Sequence, residues 1–244
     1  MKQILIKILH FLQRVLTILR NNCLPLPRSH TLALTPYEMY VEEEIKKCYE
    51  TFKPYFKKSI FLNFKDYHKF IIERAKENDE YNKKFYLEFG VYKGTSINFF
   101  SKHVNTIYGF DSFEGLKEDW AGYELQKGYF SLNRKPPKLN KNVIPVVGWV
   151  QDTLVPFLEK HKPEINFLHL DMDTYESTKF VLTKIKPYLV KNCIIAFDEL
   201  YNFSGWELGE YKALKETFND NEYKYVCFRL DGTQAAIQII ELKK

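Results

Sequence analysis

Carboxylates cluster at two points of the chain, each directly after an apolar run that has the length of a strand. Asp171-Met172-Asp173 follows the run 165–170, and Asp198-Glu199 follows the run 193–197. The ends of neighbouring parallel strands lie about 4.8 Å apart, and like charges at that spacing are unfavourable unless a cation lies among them. The sequence therefore predicts a divalent ion with oxygen ligands, Mg²⁺ in the first place, held by Asp171, Asp198 and Glu199.

An ion at this position would bind an acceptor hydroxyl, lower its pKa and fix its direction. Asp171 and Asp173 are therefore the predicted catalytic residues. The pattern does not identify a general base; the candidates are Asp173, Glu207, Glu210 and His169. The alternative is that one or two of these acids face solvent or cap helices, as Asp173 could do before Tyr175.

A turn with two glycines, Gly90 and Gly94, joins a predicted strand to a predicted helix. The first such turn of a doubly wound sheet usually contacts the ligand, although a tight turn without a ligand would look similar. A dinucleotide needs a glycine between these two, where Tyr92 stands. S-adenosylmethionine (SAM) has no phosphate and does not need that opening, so the turn favours SAM. The predicted cofactor contacts here are Glu88, Gly90, Tyr92, Gly94, Thr95 and Ser96.

The ends of the next two predicted strands extend the cofactor site. Asp111 stands where a carboxylate accepts hydrogen bonds from ribose hydroxyls, and Ser112 follows it. Trp149 and Val150 are predicted to cover the adenine, with Asp152 as a polar partner. The alternative for Asp111 and Asp152 is a structural role at a turn or a helix start.

The elements that position these residues begin near Lys84, from where strands alternate with amphipathic helices. The last two strands are separated only by the 231–233 region and should form an antiparallel hairpin. We therefore predict an α/β fold, a Rossmann-like class I methyltransferase sheet of parallel strands closed by an antiparallel hairpin, with N-terminal helices. The predicted domains are residues 84–244, for methyl transfer, and an extension at residues 1–83. The predicted strands are 85–89, 106–110, 143–147, 165–170, 193–197, 223–230 and 235–242, and the predicted helices of this domain are 95–103, 154–161, 175–188 and 206–218.

The extension contains a predicted amphipathic helix at residues 1–20, a proline-containing linker at 21–35 and two further helices. Lys7, His10 and Arg14 interrupt the apolar residues of the first helix, which is unlike a signal peptide or a membrane span. The helix is expected to lie on a membrane surface, or to pack on its own domain or a second subunit; both alternatives stay open. A capping box is predicted at Thr35 and Glu38.

The composition favours a folded cytoplasmic protein. The net charge is +5, and the 36 basic residues alternate with 31 acidic ones rather than forming a stripe, so nucleic acid is not the expected partner. The four cysteines have no CxxC spacing and are expected to be reduced thiols. A location in the cytoplasm, with contact to the inner membrane face through residues 1–20, is the expectation.

Five segments of the chain resemble the macrocin O-methyltransferase family, in order and at matching intervals between about residues 84 and 218. These segments are EFGVYKGTS (88–96), GFDSFEGLKEDW (109–120), GWVQDTL (148–154), LDMDTYEST (170–178) and FDEL (197–200). The resemblance implies a SAM- and Mg²⁺-dependent enzyme that methylates a hydroxyl of a sugar or glycosylated small molecule. It also implies that Asp171, Asp198 and Glu199 match the metal ligands and that Gly90 and Asp111 match SAM contacts. The family usually has aspartate where this chain has Glu199.

Two alternative functions stay open. Asp171-x-Asp173 is also the pattern by which metal-dependent glycosyltransferases hold a nucleotide sugar, although that chemistry does not require the Gly90 turn or Asp111. A membrane-associated binding protein of the same fold without catalysis is the other alternative, against which the intact acidic cluster argues.

Overall fold

The structure is a computed structural model that describes residue 12 and residues 35–120 and 125–242. The chain divides into two compact units, residues 1–43 and 44–244. The helices are α1 (Pro36–Phe56), α2 (Phe64–Lys76), α3 (Thr95–Phe100), α4 (Val150–His161), α5 (Tyr175–Ile185), a 3₁₀ turn (Lys186–Tyr188) and α6 (Glu210–Thr217). The strands are β1 (Ile60–Leu62), β2 (Phe85–Phe89), β3 (Ile107–Asp111), β4 (Val143–Val147), β5 (Ile165–Leu170), β6 (Leu189–Phe197), β7 (Tyr223–Arg229) and β8 (Ala235–Ile239).

The eight strands form one sheet in the order β1-β7-β8-β6-β5-β2-β3-β4. Five neighbouring strands, β6, β5, β2, β3 and β4, run parallel to one another, whereas β8 is antiparallel to both β6 and β7. The predicted class I methyltransferase fold with its closing hairpin is confirmed. Because β2, β3, β5 and β6 are parallel, their carboxyl ends lie along one edge of the sheet.

Side chains alternate between the two faces of the sheet, and each face has its own hydrophobic cluster. On β2, Leu87 and Phe89 belong to one cluster and Tyr86 belongs to the other. The second cluster also contains Ile71 of α2 and Phe100 of α3. Glu88 lies two residues after Tyr86 and points to the same face, so its side chain is buried on the face that α2 and α3 cover.

The first strand, β1, is a strand that the sequence analysis did not predict. It has only three residues, too few for a periodic pattern, and it pairs in parallel with β7. The pairing brings residues before position 84 into the sheet, and the compact unit that contains the sheet begins at Glu44. The boundary of the methyltransferase domain at residue 84 stays a prediction.

Two local predictions are confirmed among the residues that the structure describes. The Thr35 hydroxyl accepts from the Glu38 amide at 3.2 Å while a Glu38 carboxylate oxygen accepts from the Thr35 amide at 2.8 Å, which is the predicted capping box. Cys48, Cys193 and Cys227 are buried free thiols. The predicted helix at residues 1–20 and Cys23 lie outside the described residues. Among the helices that the structure describes, none has the length and apolar character needed to cross a bilayer.

Candidate active site at the carboxyl ends of β2, β3, β5 and β6

A cavity of about 340 Å³ opens at the carboxyl edge of the sheet. Its wall contains residues from the ends of β2, β3, β4, β5 and β6, the edge at which doubly wound sheets bind ligands. Most of the predicted site residues line it: Gly90, Tyr92, Asp111, Ser112, Trp149, Asp171, Asp173, Asp198 and Glu199. The structure thus brings the predicted cofactor turn and the predicted acidic cluster together in one cavity.

Gly90 connects β2 to the cavity and lies directly against the end of β5. Its φ is +87°, in the left-handed region that favours glycine. A Cβ atom at this position would lie 1.6 Å from the carbonyl oxygen of Asp171. Gly90 is therefore required for the close approach of the β2 turn to Asp171, and this approach places the turn beside the acidic residues.

Asp111 is the last residue of β3, and its carboxylate organises the turn after β2. One oxygen accepts from the amides of Val91 and Tyr92, both at 2.8 Å, and the other accepts from Phe113 N at 2.6 Å. Asp111 therefore has the structural role at a turn that was the alternative to a role in cofactor binding. Asp111 also lines the cavity, and because Oδ1 accepts only one of these bonds, its second lone pair has capacity to accept from a ligand hydroxyl.

Aromatic side chains cover the part of the cavity near β3 and β4. Trp149 and Val150, predicted to flank a planar ring, both line it. Tyr92 packs edge-on against Phe130 with ring centroids 5.1 Å apart, so Tyr92 forms part of the wall. Lys117 stands over Trp149 at 5.5 Å from the ring centroid. These rings supply the flat apolar contacts that an adenine base prefers.

Five of the predicted cofactor residues are not among the residues that line the cavity, and the structure gives each of them another role. Gly94 precedes α3 with φ +76°, and Thr95 is exposed at the start of that helix. The hydroxyl of Ser96 donates to Glu88 Oε1 at 2.9 Å on the far face of the sheet. Asp152 is exposed in the first turn of α4, where a negative charge stabilises the helix dipole. These predictions placed residues by distance along the chain, whereas the direction of each side chain decides contact.

The acidic residues form two sets that share Asp171. In one set, ligand atoms of Asp171, Asp173 and Glu199 all lie within 4.8 Å of one another, and in the other the same holds for His169, Asp171 and Asp198. Asp198 and Glu199, predicted to act together, therefore stand in different sets. Because successive residues point in different directions, the Asp198-Glu199 pair divides between the two.

Burial and mutual repulsion raise the pKa values of these carboxyls. The pKa of Asp171 and that of Glu199 are both held well above their usual range, first by burial and then by the nearby charge of Asp198. The same causes raise the pKa of Asp173 to about 7. Glu199 Oε2 is buried without a hydrogen-bond partner. The cluster is thus electrostatically unfavourable as an unpaired set of anions.

Three residues hold the acidic residues in place: Gln234 and Thr233, which the sequence did not assign to the site, and Glu210, which it offered only as a candidate base. Gln234 Nε2 donates to Asp198 Oδ1 at 2.9 Å, and the Thr233 hydroxyl donates to the Asp198 carbonyl at 2.7 Å. Glu210 Oε2 accepts from the Glu199 amide at 2.9 Å. Gln234 and Thr233 come from the hairpin turn before β8, and no sequence motif marks them because their contact depends on the pairing of β8 with β6.

Of the four candidates for the general base, only Asp173 lines the cavity. Glu207 forms a surface ion pair with Lys47. Glu210 and His169 are fully buried behind the cavity wall. Asp173 has a left-handed backbone conformation, with φ +64°, which turns its side chain out of the strand direction.

Comparisons with known proteins agree with this fold. Residues 87–200, a little under half of the chain, match a family model described as a methyltransferase domain. No curated protein matches the chain in sequence. The solved calicheamicin methyltransferase CalS11 superposes with a TM-score of 0.60 at 21% identity, over 93% of this chain and 90% of that one. An apo structure of CalS11, described as a TDP-rhamnose 3'-O-methyltransferase, gives a TM-score of 0.53 at 21% identity, over 93% and 91%.

The O-methyltransferase NovP gives a TM-score of 0.51 at 18% identity and covers 71% of this chain and 79% of that one. At these identities the structural likeness establishes the fold, and residues 87–200 match a methyltransferase domain; the macrocin family itself is not confirmed. The matched segment contains the Gly90 turn, Asp111 and the acidic residues of the cavity. The chain thus carries a match to a methyltransferase domain at residues 87–200 and has the class I methyltransferase fold.

Proposed function

We propose that this enzyme transfers the methyl group of SAM to a hydroxyl of a sugar or of a glycosylated small molecule, beside a divalent cation held by the acidic residues of the cavity. The observation that carries the proposal is the meeting, in one cavity, of the Gly90 turn and the buried carboxylates around Asp171. The glycosyltransferase alternative loses its support because the matched domain is that of a methyltransferase.

The nucleoside of SAM is proposed to lie between the Gly90 turn and the wall of Trp149 and Val150. Asp111 would accept from a ribose hydroxyl with the Oδ1 lone pair that its backbone contacts leave, and Trp149 would stack on the adenine. This arrangement uses four of the cavity residues predicted from the sequence and directs the sulfonium toward Asp171.

The donor atoms fit a divalent cation. Glu199 Oε2 is buried and unpartnered, and Asp171, Asp173 and Glu199 present oxygen atoms within 4.8 Å of one another. An all-oxygen set is the kind that Mg²⁺ prefers, and a bound ion would offset the repulsion that raises the pKa of Asp171. Asp171, with Glu199 and Asp198 on either side, is the residue common to both sets and would hold the ion.

Methyl transfer is an in-line displacement, so the main task of the protein is to position the two reactants. SAM supplies an electrophilic methyl carbon, and a cation lowers the pKa of an acceptor hydroxyl that it contacts. The acceptor oxygen forms the new bond to this carbon while the carbon–sulfur bond breaks and releases S-adenosylhomocysteine. The acceptor proton passes to a carboxylate of the cavity, and we assign this role to Asp173 because it alone of the candidate bases lines the wall.

The choice of a sugar acceptor has two supports. One is the resemblance of five segments to the macrocin O-methyltransferases. The other is the fold shared with CalS11, which is described as acting on TDP-rhamnose. The remaining parts of the proposal concern location: a cytoplasmic enzyme with no nucleic-acid partner, whose residues 1–20 contact the membrane surface, their own domain or a second subunit.

The test is a methyl-transfer assay with isotope-labelled SAM and a panel of free sugars, nucleoside-diphosphate sugars and glycosylated small molecules. We expect transfer to at least one sugar-containing acceptor, abolished by a chelator and restored by Mg²⁺ or Mn²⁺. Asp171→Asn and Asp173→Asn should each reduce the rate at least about a hundredfold while S-adenosylhomocysteine still binds in calorimetry. Asp220→Asn is the matched control, because Asp220 is exposed and does not line the cavity.

Two outcomes would contradict the proposal. Transfer that is unaffected by the chelator and by Asp171→Asn would remove the cation from the mechanism. Transfer to nitrogen or carbon acceptors, with none to any sugar hydroxyl, would remove the proposed substrate class.

A further inference from the structure

His169 is a buried histidine that the methyl-transfer scheme above does not use. It lies on β5, two residues before Asp171, and its side chain is 1% exposed. Neither ring nitrogen has a hydrogen-bond partner of standard geometry. An imidazole without partners in a buried site is costly, so this position calls for an explanation.

The two ring nitrogens face opposite carboxylates. Nδ1 lies 3.2 Å from Glu88 Oε2, because Glu88 and His169 are register partners on the neighbouring strands β2 and β5. Nε2 lies 3.8 Å from Asp198 Oδ1 and points into the set that contains Asp171. The ring thus connects a fully buried carboxylate on one side with the acidic cluster of the cavity on the other.

This is the arrangement of a metal-binding histidine. In such sites the nitrogen that does not bind the ion donates its proton to a carboxylate, which fixes the tautomer and orients the ring. Glu88 stands where that carboxylate is needed, and it is itself held by the hydroxyl of Ser96 at 2.9 Å. With the proton on Nδ1, Nε2 presents a lone pair to the cluster.

The distances fit one ion. Ligand atoms of His169, Asp171 and Asp198 all lie within 4.8 Å of one another, and ligands about 2.1 Å from an ion stand roughly 3 to 4.2 Å apart. The 3.8 Å between Nε2 and Asp198 Oδ1 falls in that range. The same oxygen, Asp198 Oδ1, also accepts from Gln234 Nε2 at 2.9 Å, which holds the carboxylate in place beside the ring.

We propose that His169 Nε2 is a ligand of the divalent cation, together with Asp171 and Asp198, and that Glu88 is its outer partner. An imidazole ligand makes the site one for a first-row transition ion such as Mn²⁺, which accepts both nitrogen and carboxylate oxygen, in preference to Mg²⁺, which takes oxygen almost alone. The inference deepens the proposed function, on which it rests, by naming the class of ion. The competing arrangement is a protonated imidazole that bridges the two carboxylates without an ion.

The experiment is electron spin-echo spectroscopy of Mn²⁺ added to the full-length protein. We expect modulation from an imidazole nitrogen, which changes to the ¹⁵N pattern when the protein contains ¹⁵N-histidine. The modulation should disappear in His169→Gln and persist in His68→Phe, a matched control that removes a neighbouring buried histidine whose ring centroid lies 6.1 Å from that of His169. Competition binding should give at least a tenfold loss of the preference for Mn²⁺ over Mg²⁺ in His169→Gln.

The wild-type spectrum decides the question even if His169→Gln does not fold. Bound Mn²⁺ without nitrogen modulation overturns the proposal, as does a protein that binds no Mn²⁺. Failure of the proposed function has a different signature, because methyl transfer is assayed separately. If nitrogen modulation is seen but no sugar is methylated, the proposed metal site stands and the proposed substrate class is wrong. If methylation is sensitive to a chelator but no modulation is seen, the proposed substrate class stands and His169 is not a metal ligand.

Discussion

Gly90 determines how closely the cofactor turn approaches the acidic cluster, because its Cα lies where any side chain would meet the Asp171 carbonyl. The sequence pattern indicated Gly90 for a different reason, the approach of a ligand. The residue does line the cavity, but the stronger requirement is contact between β2 and β5. A glycine in a turn indicates that another part of the chain or a ligand lies close to its Cα, but it does not indicate which of these it is.

Gly90→Ala and Gly128→Ala separate backbone strain from this close contact. The φ values are similar, +87° at Gly90 and +84° at Gly128, but a Cβ at Gly128 would meet nothing within 4 Å. We expect Gly128→Ala to lower the free energy of unfolding by about 1–2 kcal/mol, the cost of a left-handed alanine. Gly90→Ala should cost clearly more, and it should also abolish binding of S-adenosylhomocysteine.

Denaturant unfolding and calorimetry measure both effects. Equal losses of stability in the two variants, with cofactor binding retained in Gly90→Ala, would mean that the β2 turn moves away from Asp171 without consequence.

At the scale of elements, long periodic segments were predictable and short or irregular ones were not. The predicted bounds of β2, β4 and β5 agree with the structure, and each of these strands is an apolar run between polar turns. β1 was missed, and α6 begins four residues later than predicted, since the segment that precedes it is a series of turns. Such elements depend on pairing with distant strands, which local pattern does not encode.

Glu222, the residue before β7, forms an ion pair with Lys186 in the 3₁₀ turn after α5, and this pair should affect stability at acid pH. Glu222 is 4% exposed; its carboxylate accepts from Lys186 Nζ at 2.8 Å and from the Asn219 amide at 2.7 Å. Burial acts to raise the pKa of Glu222, but the contacts with Lys186 and Asn219 outweigh it and lower the pKa below the usual value. The charged form is thus favoured in the folded state.

Because the folded pKa is lowered, Glu222 contributes stability above the pKa of the unfolded chain, near 4.3, and this contribution is lost as the pH falls through the lowered folded value. We expect Glu222→Gln to lower the free energy of unfolding by about 1 kcal/mol at pH 7 and by less below pH 4. Urea unfolding at the two pH values measures the difference. Glu164→Gln, at an exposed glutamate, is the control. A loss that is equal at both pH values would assign the effect to packing and not to charge.

At the scale of the whole molecule, parallel strands collect residues from distant parts of the sequence at one edge. Asp111, Trp149, Asp171 and Asp198 are far apart along the chain and line one cavity because β3, β4, β5 and β6 end there. This gathering follows from the predicted topology, which is why the sequence could predict that these residues lie close together. The division of the acids into two sets and the contribution of His169 depend on side-chain direction, and only coordinates supply it.

The central claim is that a nucleoside and a divalent cation occupy the same cavity, with the methyl group of SAM near Asp171. NMR of SAM labelled with ¹³C in its methyl group tests this directly, because a bound Mn²⁺ ion broadens the signal of a carbon nearby. The claim predicts a methyl signal that is broad with protein and Mn²⁺, sharp with Mg²⁺, and sharp again with Mn²⁺ in Asp171→Asn. A sharp methyl signal in wild-type protein to which both SAM and Mn²⁺ are bound would contradict it.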